Sequence, residues 1–436
     1  MTTIDQAEIA AATQNSKLKN VPPAPLRDQN SPYAVAAFVG VVYLGLLAWL
    51  WGHFHGDPTG FIHQGTVWLN ANRQGTDGYD GQFYYYIALH PTHAVQFLDL
   101  PAIRLQRIFY PLLIDLVSLG QRPLMPYAML LINYAAVVVG TLLVARLLEG
   151  WGRSPWFALC YAFAGGIPIA LTFDTPEPLA YALVAAAVLF WEKRSVVSGQ
   201  WSVVSGQQSA AEETTRNSES PTPHSALRIT LYASLAFALA LLTREHALYF
   251  VAAYAGAALL RRDWRGLVAA VAAFMPVTLW GAYLSATLGK SSISELPSFN
   301  WLPFNTFWVQ GNLVDPTWRS VGYAAQYIVP TALFGLLALG GLFNVPLAWL
   351  RERAWHPPSA LLLAMLGSAQ LMVFLPLVGY KQQVAPSRYA LGLALAAVLW
   401  AGSAKPRWLL WLTPLVALGL LGYVYGLITM DPAYLW

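Results

Sequence analysis

The chain has 436 residues, of which 57% are hydrophobic and only 11% are charged, and its formal net charge is +4. Soluble proteins carry about 25% charged residues, because charged side chains must cover the surface that faces water. This composition therefore excludes an ordinary soluble enzyme, a disordered scaffold and a secreted disulfide module. Cys160 is the single cysteine, which excludes an intramolecular disulfide and a cysteine metal cluster. The modest positive charge is typical of cytoplasmic loops in a membrane protein and does not indicate nucleic acid as a partner.

The apolar stretches along the chain predict membrane-spanning helices. Residues 1–31 come first and are polar, without the apolar core of a signal peptide, so we expect a cytoplasmic tail. A helix needs roughly 20 apolar residues to cross the hydrocarbon layer. The pattern predicts an all-α, polytopic transmembrane bundle of about 11 spans. The apolar stretches lie at 32–51, 124–146, 155–172, 177–191, 228–243, 246–260, 266–287, 322–347, 359–379, 387–403 and 408–428. Ile108–Leu119 is shorter and predicts an interfacial helix or the approach to the next span.

A polar segment divides these spans into two modules. Residues 195–227 contain SVVSGQ twice and then Ser, Thr, Glu and Pro, a composition that predicts a disordered cytoplasmic insertion. The N-terminal membrane module is 32–194, and its long first outer loop, 52–107, is expected to carry short interfacial helices. The C-terminal module is 228–436, with an aromatic outer loop at 289–321.

The distribution of charge orients the bundle. With the N-terminus in the cytoplasm, most lysines and arginines fall on the inner side, as the positive-inside rule requires. Many carboxylates instead fall on the outer side, close to apolar segments, where ionised groups commonly line cavities. We therefore expect a multi-pass protein of a bacterial inner membrane, in contact with membrane lipids, whose chemistry lies on the outer face. No organelle-targeting or luminal retention signal argues against a bacterial origin.

The first outer loop contains the most specific constellation, GTDGYDGQFYYY at 75–86. Asp77 and Asp80 are three residues apart, so one helical turn would place both carboxylates on the same side. A carboxylate at the membrane surface can act as a general base on an acceptor hydroxyl, or hold a divalent cation beside a phosphate. Tyr84 belongs to the aromatic run that follows, and its ring can stack on a sugar. The alternative is a capped turn followed by interfacial tyrosines.

Two later outer turns carry charge between apolar helices. Asp174 and Glu177 lie in the turn TFDTPEP, where helix capping is the alternative to a functional role. Arg244 lies in the turn LTREH and has two equally supported interpretations. It can pair with Glu245, or its planar guanidinium can bind a lipid-linked phosphate.

Further cations lie on the outer side against the general bias. Lys381 and Arg388 flank a proline turn at the start of a late helix, and Arg104 and Arg107 precede the segment FYPLL. Each of these cations is a candidate ligand for a phosphate. The alternative is a side chain that extends to anionic lipid headgroups. The histidines of the first loop lack the spacing of a zinc site, and no nucleotide-binding or serine-hydrolase motif is present.

The order of these motifs resembles a known family. A spanning helix, a long outer loop with D-x-x-D and aromatics, RIFYPLL, an acidic second outer turn, LTRE and a late SRY together are similar to the polytopic GT-C glycosyltransferases. The likeness is greatest to bacterial relatives of the GPI-anchor mannosyltransferases. It implies a hexosyltransferase that moves a sugar from a polyprenyl-phosphate donor to a lipid or glycan acceptor on the outer face.

The resemblance also implies roles for particular residues. Asp80 or Asp77 would match the first-loop acidic residue that serves as base or metal ligand. Glu177 would match the acidic residue of the second outer turn, and Arg388 would match a basic residue that contacts the donor phosphate. The first-loop pair is D-x-x-D rather than D-x-D or adjacent carboxylates. The choice of base and the use of a divalent cation, Mg or Mn, therefore stay open, and no metal ligand is assigned.

Two other classes of protein compete with this interpretation. A secondary transporter or lipid flippase predicts broken helices at matching positions of two halves and ionisable groups near mid-membrane. A structural membrane subunit would leave the paired first-loop aspartates without a role. A glycosyltransferase predicts that Asp80, Glu177 and Arg388 converge, whereas scattered positions would favour the other classes.

Overall fold

A computed structural model describes residues 31–69, 75–197, 223–295, 324–352, 359–374 and 384–429. Throughout these ranges the regular elements are helices and no β-strand occurs, which confirms the predicted all-α class. One isolated antiparallel bridge joins Gln64 to Gly78 in the first loop. Most of the predicted insertion 195–227 and of the loop 289–321 lies outside the described residues.

The N-terminal module contains nine α-helices in the described residues. They are α1 (Pro32–His53), α2 (Thr66–Leu69), α3 (Gly81–Leu89), α4 (Pro101–Gln106), α5 (Phe109–Val117), α6 (Met125–Gly150), α7 (Leu159–Ala162), α8 (Gly166–Thr172) and α9 (Glu177–Val197). Short helices thus occupy the first loop, as predicted. The predicted apolar piece at 108–119 forms the separate helix α5, because Leu119 and Gly120 have positive φ angles of 54° and 70° that interrupt the chain before α6.

The C-terminal module contains eight further α-helices in its described part. They are α10 (Pro223–Thr243), α11 (Leu248–Leu260), α12 (Trp264–Ala272), α13 (Met275–Leu288), α14 (Val329–Glu352), α15 (Ala360–Val373), α16 (Val384–Ser403) and α17 (Gly419–Thr429). Helix α9 extends to Val197 and α10 begins at Pro223. Both ends of the segment predicted to be disordered are therefore helical, because backbone hydrogen bonding continues beyond the apolar stretch.

Six helices or helix runs in the described residues are long and apolar enough to cross a membrane. A seventh candidate is the pair Pro155–Ala162 and Gly166–Thr172, which is bent by 55°. The apolar helices indicate a membrane protein, but they do not confirm the predicted figure of about 11 spans. Two of the predicted spans fall in the shorter helices Glu245–Leu260 and Ala360–Val373, and each is shorter than the roughly 20 residues that a span needs.

The core brings together helix ends that are far apart in the sequence. The largest buried cluster is rich in alanine and joins residues of α6, α9, α10, α11, α15 and α16. Two close backbone contacts then fix how some of these helix ends lie against one another. A Cβ atom on Gly81 would lie 2.2 Å from the Phe173 carbonyl oxygen, and one on Gly166 would lie 2.5 Å from that of Ser387. Because Gly81 has no side chain, the start of α3 can approach Phe173 in the turn after α8. Because Gly166 has none, the start of α16 can approach the bend between α7 and α8.

Candidate functional site

Asp80, Glu177 and Arg388 meet at one point in the fold. Arg388 Nη1 donates to Asp80 Oδ2 at 2.9 Å, and Arg388 Nη2 donates to Glu177 Oε1 at 2.6 Å. Asp80 precedes α3, Glu177 begins α9 and Arg388 lies in the first turns of α16. The helix ends therefore bring together residues separated by 308 and 211 positions in the sequence.

Asp80 lies between two arginines. Arg104 Nη2 donates to Asp80 Oδ1 at 2.8 Å, and the same guanidinium binds both carboxylate oxygens of Asp99 at 2.8 and 2.9 Å. The ring of Phe83 lies 4.3 Å beneath the Arg104 guanidinium. Burial alone would raise the pKa of Asp80, but Arg104 and Arg388 hold it well below its usual range. Asp80 is therefore a carboxylate throughout the neutral pH range.

A second arginine–carboxylate pair lies beside the first. Arg107 binds Glu245 through two hydrogen bonds, from Nε to Oε2 at 2.7 Å and from Nη2 to Oε1 at 2.6 Å. Arg107 Nη1 also donates to the hydroxyl of Tyr84 at 2.9 Å. His246 Nε2 lies 3.6 Å from Glu245 Oε1. Tyr84 thus supports an arginine, a role that the sequence did not indicate.

Arg244 and Glu177 form the most deeply buried pair of the cluster. Arg244 Nη2 lies 3.2 Å from Glu177 Oε1, and each side chain is only 1% exposed. The Nε and Nη1 atoms of Arg244 and the Oε2 atom of Glu177 are buried without a hydrogen-bond partner among the described residues. Buried polar groups normally have partners, so these three atoms indicate that a polar ligand or water completes this part of the cluster.

Asp174 is buried close to the cluster but is not ion-paired within the described residues. It is 0% exposed and has a φ angle of 48°. The nearest polar contact of its side chain is the amide nitrogen of Asn133, 3.5 Å from Oδ1. That nitrogen also donates to Tyr110 at 2.9 Å. Burial raises the pKa of Asp174 well above its usual range. Asp174 is thus a poor candidate for direct contact with substrate from solvent.

Two predicted residues are not placed in the cluster. Asp77 has an exposed side chain, and its backbone carbonyl accepts a hydrogen bond of 2.7 Å from Gln82 Nε2. Gly78, with a φ of 67°, turns the chain after it, and α3 begins only at Gly81, so the expected helical register of Asp77 and Asp80 does not form. Lys381 lies outside the described residues.

Two carboxylates of the cluster, Asp99 and Glu245, are absent from the residues that the sequence singled out as catalytic or substrate-binding. Glu245 had a signal, since it adjoins Arg244 in the LTREH turn, but its partner is Arg107 rather than Arg244. Asp99 lies five residues before Arg104. A carboxylate and an arginine at this spacing are common on solvated surfaces, so the spacing alone did not indicate a role for Asp99.

The donor set does not fit a divalent cation. Both oxygens of Asp80 accept from arginines, so a cation would have to displace Arg104 or Arg388. The described residues contain no group of three or more His, Cys, Asp or Glu side chains that could hold a metal ion.

No protein-family model, no curated protein and no solved structure matches the chain.

Proposed function

We propose that the protein is an integral-membrane glycosyltransferase that moves a hexose from a polyprenyl-phosphate donor to a lipid or glycan acceptor. The observation that supports it best is the meeting of Asp80, Glu177 and Arg388, together with Arg104, Arg107 and Arg244, at one cluster. Glycosyl transfer from a phosphate needs both kinds of group, a carboxylate for the attacking hydroxyl and cations for the departing phosphate.

Asp80 is the proposed base. Its side chain is 27% exposed, whereas that of Glu177 is 1% exposed, so an acceptor hydroxyl reaches Asp80 first. The acceptor oxygen forms a bond to the anomeric carbon as the bond from that carbon to the phosphate oxygen breaks, and Asp80 takes the hydroxyl proton. While both arginines bind Asp80 its basicity is low. A phosphate that draws Arg388 away would raise that basicity as the donor binds.

Arg244 is the proposed binding group for the donor phosphate. The hydrogen bonds of Arg388 go to Tyr79, Asp80 and Glu177, and those of Arg107 go to Tyr84 and Glu245. Within the part of the chain that the structure describes, two nitrogen atoms of Arg244 are buried without a partner, which is not so for Arg107 or Arg388. Phosphate oxygens accept charge-assisted hydrogen bonds from guanidinium groups, so a bound phosphate would satisfy both atoms.

The proposal also includes the orientation of the chain in the membrane. We place the N-terminus in the cytoplasm and the cluster at the outer face, because that orientation puts most basic residues inside. About 11 spans, a bacterial inner membrane and a lipid-linked donor that reaches the cluster from the bilayer complete the proposed arrangement.

A secondary transporter or lipid flippase is the second candidate, and the α7–α8 bend favours it. The two short helices meet at 55° around Gly165 and Gly166, and discontinuous helices commonly form substrate sites in transporters. The bend lies against Ser387, next to Arg388. A flippase would use the same cations to hold a phosphate headgroup without breaking a bond.

A reconstituted assay separates these candidates. Purified protein in liposomes would receive a panel of radiolabelled polyprenyl-phosphate sugars together with extracted bacterial lipids and glycans as acceptors. We expect transfer by the wild type, a loss of about 100-fold or more in Asp80→Asn, and wild-type activity in the control Asp115→Asn, which changes an exposed carboxylate of α5.

Equal transfer by Asp80→Asn would reject Asp80 as the base. Absence of transfer from every donor, combined with movement of the labelled lipid between leaflets, would reject the enzyme and favour the flippase.

A further inference from the structure

The four arginines of the cluster are less exposed than three of its carboxylates, whereas the fourth carboxylate, Glu177, is only 1% exposed. The arginine side chains are 9%, 7%, 1% and 3% exposed for Arg104, Arg107, Arg244 and Arg388. Asp80, Asp99 and Glu245 are instead 27%, 28% and 29% exposed. We call these three carboxylates the acidic rim. A molecule that enters from solvent therefore meets carboxylate oxygens before it meets a guanidinium.

Every member of the acidic rim already has a cationic partner. Arg107 binds Glu245 with two hydrogen bonds, and Arg104 binds Asp99 in the same way while also binding Asp80. Arg104 and Arg107 lie three residues apart at the end of α4. This short segment therefore binds all three carboxylates of the rim. The rim therefore presents neutralised ion pairs rather than free negative charge.

This arrangement discriminates between classes of ligand. An anion finds no unpaired cation on the rim, because the arginines that bind Asp80, Asp99 and Glu245 are already neutralised by these carboxylates. A cation gains little, because each carboxylate is already neutralised by the arginine bound to it. A hydroxyl group needs no counter-charge. A carboxylate offers about four lone-pair positions, so each one keeps acceptor capacity after binding an arginine.

The surroundings of Glu245 suit a sugar ring as well as a hydroxyl. The imidazole of His246 lies 3.6 Å from Glu245 and is 14% exposed. The ring of Tyr389 packs against His246 with ring centroids 4.9 Å apart. The Arg244 guanidinium lies over the Tyr389 ring, 5.5 Å from its centroid, so the rest of this partly exposed ring is what a sugar could contact. An aromatic ring beside fixed hydrogen-bond acceptors matches the apolar C–H groups and the polar edge of a pyranose.

We propose that the acidic rim binds the hydroxyl groups of a neutral sugar, with Asp99 and Glu245 as residues that set specificity against charged sugars. The assignment of this sugar as the acceptor rests on the proposed glycosyltransferase function; its binding to the rim does not. Asp80 and Asp99 bind the same arginine, Arg104, and Asp80 is the member of the rim that receives the reacting hydroxyl.

Direct binding without any lipid-linked donor tests this inference. Purified protein in detergent micelles at pH 6.5 would be studied by saturation-transfer difference NMR with methyl glucoside, methyl glucuronide and protonated methyl glucosaminide as probes. We expect the neutral glycoside to bind best. We expect Glu245→Gln and Asp99→Asn each to weaken it about tenfold, since a hydrogen bond to a charged group is lost. The control Asp115→Asn should bind like the wild type.

Stronger binding of either charged glycoside would overturn the inference, as would wild-type binding by both rim variants or no binding of any probe. Asp99→Asn is the safer variant, because Arg104 keeps Asp80 as a partner, and size-exclusion elution would check its fold. If the neutral sugar binds and no donor supports transfer, the proposed sugar-binding site is supported and the proposed glycosyltransferase activity is rejected. If transfer proceeds but the neutral glycoside does not bind the acidic rim, the proposed glycosyltransferase activity is supported and the proposed sugar-binding site is rejected.

Discussion

Helix α9 carries an arginine–carboxylate assembly at each end, and the two are built differently. At its C-terminal end, Arg194 binds Asp263 through two hydrogen bonds of 2.7 Å, with side chains 7% and 12% exposed. Asp263 also accepts from the backbone nitrogen of Gly266, which caps α12, and Trp191 lies 5.4 Å from the guanidinium. At its N-terminal end, Glu177 shares Oε1 between Arg244 and Arg388, and its Oε2 has no hydrogen-bond partner in the described ranges.

The two assemblies differ in how completely their charged groups are paired. Glu177 and Arg194 are 17 residues apart, which is roughly 26 Å along a helix, so the same element presents both. The Arg194 pair matches one cation with one carboxylate and buries both. The Glu177 end gathers four arginines, exposes carboxylates and leaves donors unpaired among the described residues, a pattern that supports the proposal of a bound polar ligand.

Removing one arginine from each end should give the largest contrast. Arg388→Met leaves Asp80 and Glu177 without their shared cation, and breaking a buried pair costs about 3–5 kcal/mol. Arg194→Met leaves only the capping Asp263 unpaired and should cost less. Thermal unfolding in detergent, together with transfer activity per folded molecule, measures both effects. Activity should vanish in Arg388→Met and persist in Arg194→Met. An Arg388→Met protein as stable as the wild type would contradict the cluster geometry.

A methyl group at Gly81 should give the next largest effect. Its Cβ would lie 2.2 Å from the Phe173 carbonyl oxygen, so Gly81→Ala must move α3 and the carboxylate of Asp80. We expect a loss of about 1–3 kcal/mol in stability, as in other overpacked positions, and reduced transfer. Gly45→Ala in α1 is the matched control, because nothing lies within 4 Å of its Cβ position. Equal unfolding temperatures for the two variants would show that α3 does not contact the turn this closely.

The two ends of α9 should also respond to pH with opposite sign. Burial raises the pKa of Asp174, so its stabilising effect is fully present below the unfolded value near 3.8 and is lost as pH rises through the folded pKa. Asp174→Asn should therefore raise the unfolding midpoint at pH 7 by about 1–3 °C, and the gain should shrink towards pH 4.

Asp263 provides the comparison. Burial would raise its pKa, but Arg194 and the Gly266 amide lower it, so its stabilising effect is present above about 3.8 and is lost as pH falls through the folded pKa. Asp263→Asn should lower the midpoint at pH 7, and that deficit should shrink in acid. Unfolding curves from pH 3.5 to pH 8 measure both slopes, and slopes of the same sign would contradict the assignments.

The sequence predicted the members of the cluster better than their contacts. Ionised residues beside apolar segments must find partners, and this one requirement identified Asp80, Glu177, Arg388 and Arg244. Their pairing was not predictable, because it depends on helix ends that meet over 211 to 308 residues. Asp77 was grouped with Asp80 on helical spacing, but the left-handed backbone at Gly78 ends that spacing.

The all-α class was predictable from hydropathy, whereas the number of spans was not. An apolar run shows that a helix is buried but does not say whether protein or lipid covers it. Glu245–Leu260 and Ala360–Val373 show this, because both are apolar and both are short. Asp99 and Glu245 were missed for a related reason, since one carboxylate near one arginine is common on any surface.

The long sequence separation between Asp80 and Arg388 has a consequence for how the protein is made. Asp80, Arg104 and Glu177 emerge from the ribosome long before α16 is synthesised. During that interval Asp80 has one of its two cations and Glu177 has none until Arg244 follows, so the growing chain carries uncompensated acid beside the bilayer. Insertion of α16 supplies the missing cation to both carboxylates at once. The cluster is thus complete only after α16 has been made, and a chain truncated before α16 would differ from the longer chain in the charge balance of the cluster as well as in length.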